Sequence, residues 1–347
     1  MPNKNLVVFY HSPCMDGYAA ACAFFDQVNE KEWDSINYLG FNYGQMAELK
    51  YMVGNNPLAG ATHVLCLDIC PTPDTLDYLL VDRGLNVCVL DHHDTAMDNL
   101  EYYNKSGILF TVAKDYSGAS LVKALGTSVN LLFQHDIYET AYVDEEDILT
   151  NNQAYIYLNR KLVEGNELYR LLEIRDLWIQ DDPEAKKLAD DLAAYFKANS
   201  TYKEPVRSVA ALELIVDEAL VEGRKLNAEH ELIINAAIAA GVTYQLEYEG
   251  ESLDLLITEC PNDLSSMLGG TYNDSCKGNS LAIGVYRDGP HIAGLSLRSK
   301  GNFGLARLVA EHLGGGGHDH ASGARIKPGS VLDHTSLFDK VKLALNI

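Results

Sequence analysis

The stretch Val89–Asn99, VLDHHDTAMDN, runs an apolar segment straight into an aspartate and two adjacent histidines, Asp91, His92 and His93. Neighbouring side chains on a strand point to opposite faces, so both imidazoles can serve one site only if the strand ends near Asp91 and a loop begins. The residues before it, NVCVL from Asn86, form a continuous apolar run rather than an alternating one. Such a run suits a strand covered on both faces, as in a parallel sheet.

Moving outward, the same rhythm recurs towards the start of the chain. NLVVFY from Asn5 is followed by YAAACAFFDQV from Tyr18, then by HVLCLDI from His63 and PDTLDYLLVDRG from Pro73. Short apolar runs separated by amphipathic stretches predict a parallel sheet with right-handed helical crossovers, the α/β class. In such sheets ligands bind beyond the carboxyl ends of the strands, where His11, Asp68 and Asp91 fall. Past SGASLVKAL, whose Ser117 suits a helix cap, the chain is predicted mostly helical to about Asn199, with an acidic patch VDEEDI from Val143. Residues Val206 to Ala240 carry apolar side chains at three- and four-residue spacing and no proline, which predicts one long helix. From Val242 the pattern turns to short strands around one helix, and Asp288-Gly289-Pro290 predicts a hairpin turn. The expected organisation is a first domain over 1–200, a helical linker over 201–240, and a smaller α+β domain over 241–347, with no internal repeat.

Composition narrows the function. A chain of 347 residues that is 47% hydrophobic has enough for two cores. Its 49 acidic and 27 basic residues give a formal charge of −22, which argues against tracking along a nucleic-acid duplex. Any anionic substrate is expected to be small and held locally. The first residues, MPNKNLVVFYHSP, lack the features of a secretory signal, and no long apolar window predicts a membrane span. The seven cysteines are odd in number and form no C-x-x-C pair, so reduced thiols in a cytoplasmic protein are expected.

Four segments offer hard or borderline metal ligands near one expected sheet edge. They are HSPCMDG (His11, Cys14, Asp16), LDICP (Asp68), LDHHD (Asp91, His92, His93) and EIRDLW (Asp176). Imidazole and carboxylate donors suit manganese, magnesium or iron better than a structural zinc cage. If Asp68 bridges, two cations about 4 Å apart could activate a water and stabilise the attacking and leaving oxygens of a phosphoryl displacement.

Through HSPCMDG, CLDIC, LDHHD and IRDLW the chain resembles the DHH phosphoesterase superfamily. Through SLRSKGN and GGGGHDHASG it also resembles the family's companion, the DHH-associated substrate-binding domain. The resemblance implies a manganese-dependent phosphohydrolase with two divalent ions and an active site in the cleft between the domains. It implies His11, Cys14 and Asp68 as ligands of one ion, and Asp16, Asp68, His92 and Asp176 as ligands of the other. Asp91 would orient an imidazole, and His93 would donate to phosphoryl oxygens. One departure stands out: Cys14 occupies a position where many members carry aspartate. As a thiolate it would shift preference towards iron or zinc; as a protonated wall residue it would leave that coordination position to water.

The second domain is expected to grip the substrate. Gly314, Gly315, Gly316 and Gly317 precede His318, and such a run either lets amides approach an anion or simply ends a helix. Arg298 could hold a phosphate through its fork, and Asn302 closes the SLRSKGN motif. Residues 298–327 hold five basic side chains (Arg298, Lys300, Arg307, Arg325, Lys327) against two acidic ones (Glu311, Asp319) in an otherwise acidic chain. Ser117, in DYSGAS, could offer an amide to a second phosphate or cap a helix.

The leading expectation is hydrolysis of short linear RNA or dinucleotides of the pGpG or pApA type, as in the nanoRNase-like members of the family, with pAp dephosphorylation a related activity. Pyrophosphate or polyphosphate hydrolysis is the alternative, and nucleotide sensing without turnover a third reading. No long duplex or membrane partner is expected, and a homodimer stays open.

Overall fold

A computed structural model describes residues 4–52, 56–93, 96, 109–112, 115–133, 141–142, 148–150, 155–177, 179, 181–288, 291–326 and 334–347. The chain divides into two compact units, Met1–Leu226 and Asn227–Ile347. The residues 201–240 expected as a linker fall on both sides of that division.

Among the described residues, the first unit is built on six parallel strands. They are β1 (Asn5–His11), β2 (Ser35–Phe41), β3 (His63–Leu67), β4 (Asn86–Asp91), β5 (Leu109–Val112) and β6 (Ala141–Tyr142), in the order β2-β1-β3-β4-β5-β6. The apolar runs are buried on both faces. In β1, Leu6, Val8 and Tyr10 enter one core while Val7 and Phe9 enter the other. The chain leaves β1 for β2 on one side and returns to β3 on the other. The carboxyl ends of β1 and β3 therefore flank a topological switch point, where a crevice forms.

Helices α1 (Met15–Gln27), α2 (Tyr43–Ala47) and α3 (Pro73–Asp77) connect these strands. They are followed by α4 (Gly118–Leu125), α5 (Glu167–Asp176) and α6 (Pro183–Ala198). Helix α1 buries the small residues Ala19, Ala20, Ala21 and Ala23, so backbones approach closely. That approach brings the start of α1 near the start of α4.

Two sequence expectations change. The segment expected to be mostly helical contains β6 and a small antiparallel pair, β7 (Ile148–Thr150) with β8 (Tyr155–Tyr157). Strands of two or three residues are too short to show a period-two pattern. Of VDEEDI, the residues 143–147 lie outside the described residues. The long helix is two: α7 (Val209–Glu213) and α8 (Val216–Ala240). Ser208 caps α7, with Asp26 accepting from its hydroxyl and from the Val209 amide. Leu212 and Val216 are buried while Leu214 between the two helices is turned outward, so the apolar spacing continues through a turn.

The second unit carries β9 (Val242–Tyr248), β10 (Glu251–Glu259), β11 (Asn279–Asp288), β12 (His291–Lys300), β13 (Gly316–His318) and β14 (Ala321–Arg325). Their order is β13-β14-β12-β11-β10-β9, antiparallel except for β10 with β11. The β11–β12 pairing reaches Asp288 and His291, while the expected turn residues Gly289 and Pro290 lie outside the described residues. Helix α9 (Ser265–Ser275) covers one face through Leu268 and Tyr272. Helices α10 (Leu305–His312) and α11 (His334–Leu345) cover the other through Leu305, Val309, Leu337 and Val341. No helix among the described residues is long and apolar enough to cross a membrane.

Candidate metal centre

Strand β4 ends at Asp91, and its carboxylate makes the turn that the opening stretch required. Asp91 Oδ1 accepts from the backbone amides of His92 (2.8 Å) and His93 (3.2 Å) and lies 2.7 Å from His93 Nδ1. One oxygen thus ends the strand, redirects both histidines and fixes the second ring. His92 turns the other way. Its Nε2 sits 3.1 Å from Asp68 Oδ1 and 2.9 Å from Asp176 Oδ2.

Asp68 follows β3 and is fully buried with a left-handed φ of 58°. That conformation costs a non-glycine residue about 1–3 kcal/mol, and such outliers gather where geometry matters to function. The Asp68 amide donates to the Leu90 carbonyl at 2.9 Å, which holds the residue in place. Its Oδ2 lies 3.4 Å from His11 Nδ1, close but without hydrogen-bond geometry.

Asp16, in the first turn of α1, is anchored through one oxygen only. Asp16 Oδ1 accepts from the Ser117 hydroxyl (2.7 Å) and the Ala119 amide (3.1 Å), while Oδ2 has no hydrogen-bond partner. Gly17 and Gly118 permit this. A Cβ on Gly17 would meet the His11 carbonyl at 2.3 Å, and one on Gly118 would meet Asp68 Cβ at 2.6 Å and Asp16 Oδ2 at 2.8 Å.

The ligand atoms fall into overlapping groups within 4.8 Å of one another: His11, Cys14 and Asp68; Asp16, His92 and Asp176; and Asp68, Asp91, His92 and His93. All eight residues expected from the first domain's motifs come together. Of the two readings of Ser117, the helix cap is the one seen and the phosphate contact is not. Ser117 is fully buried, caps α4 by accepting from the Ser120 amide, and spends its hydroxyl on Asp16, so it supports the cluster rather than facing a phosphate.

The charge pattern suits cations. Asp16 Oδ2, Asp68 Oδ2, Asp91 Oδ2 and His11 Nδ1 are buried atoms without hydrogen-bond partners, while Asp176 Oδ2 lies against His92 Nε2. An uncompensated buried charge costs several kcal/mol, and protons on His92 and His93 cannot neutralise the four carboxylates of Asp16, Asp68, Asp91 and Asp176. Burial, then the charges of Asp176 and Asp68, push the Asp16 carboxyl well above its usual range. Burial and the same acidic neighbourhood push the Cys14 thiol up. For His92, burial opposes the proton, but the hydrogen bonds and charges of Asp176 and Asp68 prevail and raise it to about 11. His93 is likewise raised against burial, chiefly by Asp91, to about 9. Asp68 is held below the carboxylate range because its contacts with His11 and His92 and the charge of His93 outweigh its burial. Imidazoles and carboxylates that compete for protons in this way fit divalent cations as their common partner.

Tyr43 was not expected here. Its ring packs edge-on against His11 (5.1 Å) and His93 (5.9 Å), walling one side. Nothing near FNYG in sequence marks it, because its partners sit on other strands.

In the second unit, Arg298 donates to the Leu297 carbonyl (2.8 Å) and to Ser266 Oγ (2.7 Å). It lines a cavity of about 350 Å³ with Ser296, Ser322 and Gly316. Burial lowers its pKa. The glycine run is not an open anion loop. Gly314, at φ 81°, donates to the Glu311 carbonyl and Gly315 to Ala310, which ends α10, and Gly316–His318 pairs with β14. Gly315 has no room for a side chain, since a Cβ would lie 2.1 Å from the Gly323 carbonyl. Asn302 is exposed and its amide donates to Asn279 Oδ1. The His318 side chain, the surroundings of Gly317 and the whole of Lys327 lie outside what is described.

No family model matches the chain, and no curated protein matches it. Solved structures do. Exonuclease RecJ bound to manganese aligns with 99% of this chain and 90% of its own, at 13% identity and a TM-score of 0.52. The fold is similar to that of RecJ. RecJ in complex with Mn2+ from Thermus thermophilus gives a TM-score of 0.50 at 13% identity over 99% of this chain, which spans 52% of that RecJ. At such identity the likeness to RecJ carries the architecture alone, and the ligand set rests on the geometry above.

Proposed function

We propose that the chain is a metal-dependent phosphoester hydrolase, with two divalent cations, manganese before others, as cofactors and short linear RNA or dinucleotides as substrates. The observation that carries this is the buried cluster at the β1/β3 switch point, with the Oδ2 atoms of Asp16, Asp68 and Asp91 left without hydrogen-bond partners. His11, Cys14 and Asp68 would hold one cation, and Asp16, Asp68, His92 and Asp176 the other. Such cations, when bound, acidify water and neutralise charge on phosphoryl oxygens. Both RecJ structures are manganese complexes, which supports the choice of metal.

The chain's own groups do the positioning. Asp91 occupies His93 Nδ1, so Nε2 is the ring atom left to donate to a phosphoryl oxygen. Donation from Nε2 requires the protonated ring, which burial opposes and the Asp91 contact favours. Ser117 and the Ala119 amide hold Asp16 by one oxygen and turn the other towards the cluster. In the second unit, Arg298 and its serine-lined cavity are the groups suited to an anionic part of the substrate.

The test is hydrolysis in manganese of pGpG, pApA, a five-nucleotide RNA, pAp and pyrophosphate. Asp68→Ala should lower turnover on the order of a thousandfold, the equivalent of several kcal/mol of lost charge stabilisation. Arg298→Ala should act mainly on KM. Turnover of pyrophosphate without the dinucleotides would replace the substrate assignment with the pyrophosphatase reading.

A further inference from the structure

The first unit contains a cavity of about 360 Å³ that shares Cys14, Asp16 and Asp176 with the cluster. Its remaining walls come from Pro13 and Met15 beside Cys14, and from α5, α6 and the turn after them. Leu172, Ala193 and Phe196 are apolar, Tyr202 adds an aromatic ring, and Arg175 and Lys197 add two cations. The Arg175 guanidinium is set by Asp190, whose Oδ1 lies 3.3 Å from Nε.

We infer that this cavity is a nucleoside subsite, taking the base and ribose of one nucleotide while its phosphate lies at the cluster. The inference rests on the hydrolase reading and names its substrate class. The volume falls at the small end of ligand sites, which run from about 300 to 1,000 Å³, and suits one nucleoside rather than an oligomer. The chemistry of the walls separates the two substrate classes. Pyrophosphate is polar on every side and would lose hydration against Leu172, Ala193 and Phe196 without replacement hydrogen bonds. A nucleobase has an apolar π-face to bury, and its phosphodiester supplies the charge that Arg175 and Lys197 attract. Because Cys14, Asp16 and Asp176 belong to both cavity and cluster, an occupant is already beside the groups proposed to act on its phosphate.

The test uses the full chain loaded with manganese and three probes: guanosine 5'-monophosphate, ribose 5-phosphate and inorganic phosphate, compared by calorimetry. The subsite predicts that the nucleotide binds about tenfold or more tightly than ribose 5-phosphate, since only the base differs. Ala193→Trp, which fills the cavity from α6, should bring that ratio towards one, with thermal melting as the check on folding. Equal affinity for nucleotide and ribose phosphate in the unaltered protein overturns the inference, as does an undiminished ratio in a folded Ala193→Trp. If the tryptophan variant fails to fold, the ratio in the unaltered protein decides. A base preference without phosphoester hydrolysis would sink the catalytic reading and leave the subsite standing. Hydrolysis without a base preference would do the reverse.

Discussion

Gly118 has no space for a methyl group, and the atoms that exclude it belong to the candidate ligands Asp68 and Asp16. Gly118→Ala must therefore displace α4 or both carboxylates, and α4 is anchored by the buried Ser117 cap. The expected outcome is a ten- to hundredfold loss of manganese affinity, the usual effect of disturbing groups that orient ligands, with far-ultraviolet circular dichroism retained. Isothermal titration with manganese measures it, and unchanged affinity would show that the cluster tolerates the shift. Cys14 invites a different measurement. It stands at the extended N-cap of α1 without capping it, and its sulfur lies within 4.8 Å of the His11 and Asp68 ligand atoms. If the thiolate binds metal, the cobalt(II) protein should show sulfur-to-metal charge-transfer absorption in the near ultraviolet. Cys14→Ser should lose that band and keep the weaker visible ones. A cobalt spectrum identical in both proteins would make Cys14 a wall of the neighbouring cavity only.

At the scale of elements, β3 begins with His63, which is held by neutral groups. Thr62 Oγ1 is 2.8 Å from Nδ1 and Asn86 Nδ2 is 3.3 Å from Nε2, while Trp33 and Phe133 pack edge-on at 5.0 and 5.1 Å. Burial, assisted by Lys4, lowers the His63 pKa. Above the ordinary histidine value, both folded and unfolded forms are neutral and the group contributes no pH dependence. Below it the unfolded chain takes up a proton that the folded chain refuses, so stability falls as pH drops and levels off beneath the folded pKa. The melting temperature should therefore decline more steeply as pH falls below about 6.5, the ordinary histidine value, in the native protein than in His63→Gln. Parallel profiles would show that His63 does not contribute. The same strands show what the sequence could reveal. Leu6 to Tyr10, Val64 to Leu67 and Val87 to Leu90 are apolar without alternation because both faces are covered, and that is legible in one dimension. The candidate ligands at their ends were legible for the same reason, since a polar residue directly after such a run sits at the sheet edge. Tyr43, Gly118 and the bond from Ser117 to Asp16 were not, because they depend on contacts with residues brought near by crossovers. The break at Leu214 was hidden too, since a turn there preserves the spacing of Leu212 and Val216.

For the whole molecule, the hydrophobic cores are separate. Among the described residues, two flank the parallel sheet of Met1–Leu226 and two flank the sheet of Asn227–Ile347, with Ile234 of α8 in one of the latter. Units with their own cores can unfold as separate cooperative blocks even when one helix runs through the boundary, as α8 does. The candidate ligands His11, Cys14, Asp16, Asp68, His92 and Asp176 all lie in the first unit. A ligand that binds only a folded unit stabilises it by about 2.7 kcal/mol at a hundred times its dissociation constant. Scanning calorimetry should therefore resolve two transitions, and saturating manganese should raise one by several degrees while leaving the other in place. Asp68→Ala should abolish the metal-dependent shift without removing the second transition. A single transition would mean that the units unfold as one, and two that move together with metal would mean that the stability of the second unit depends on metal binding in the first.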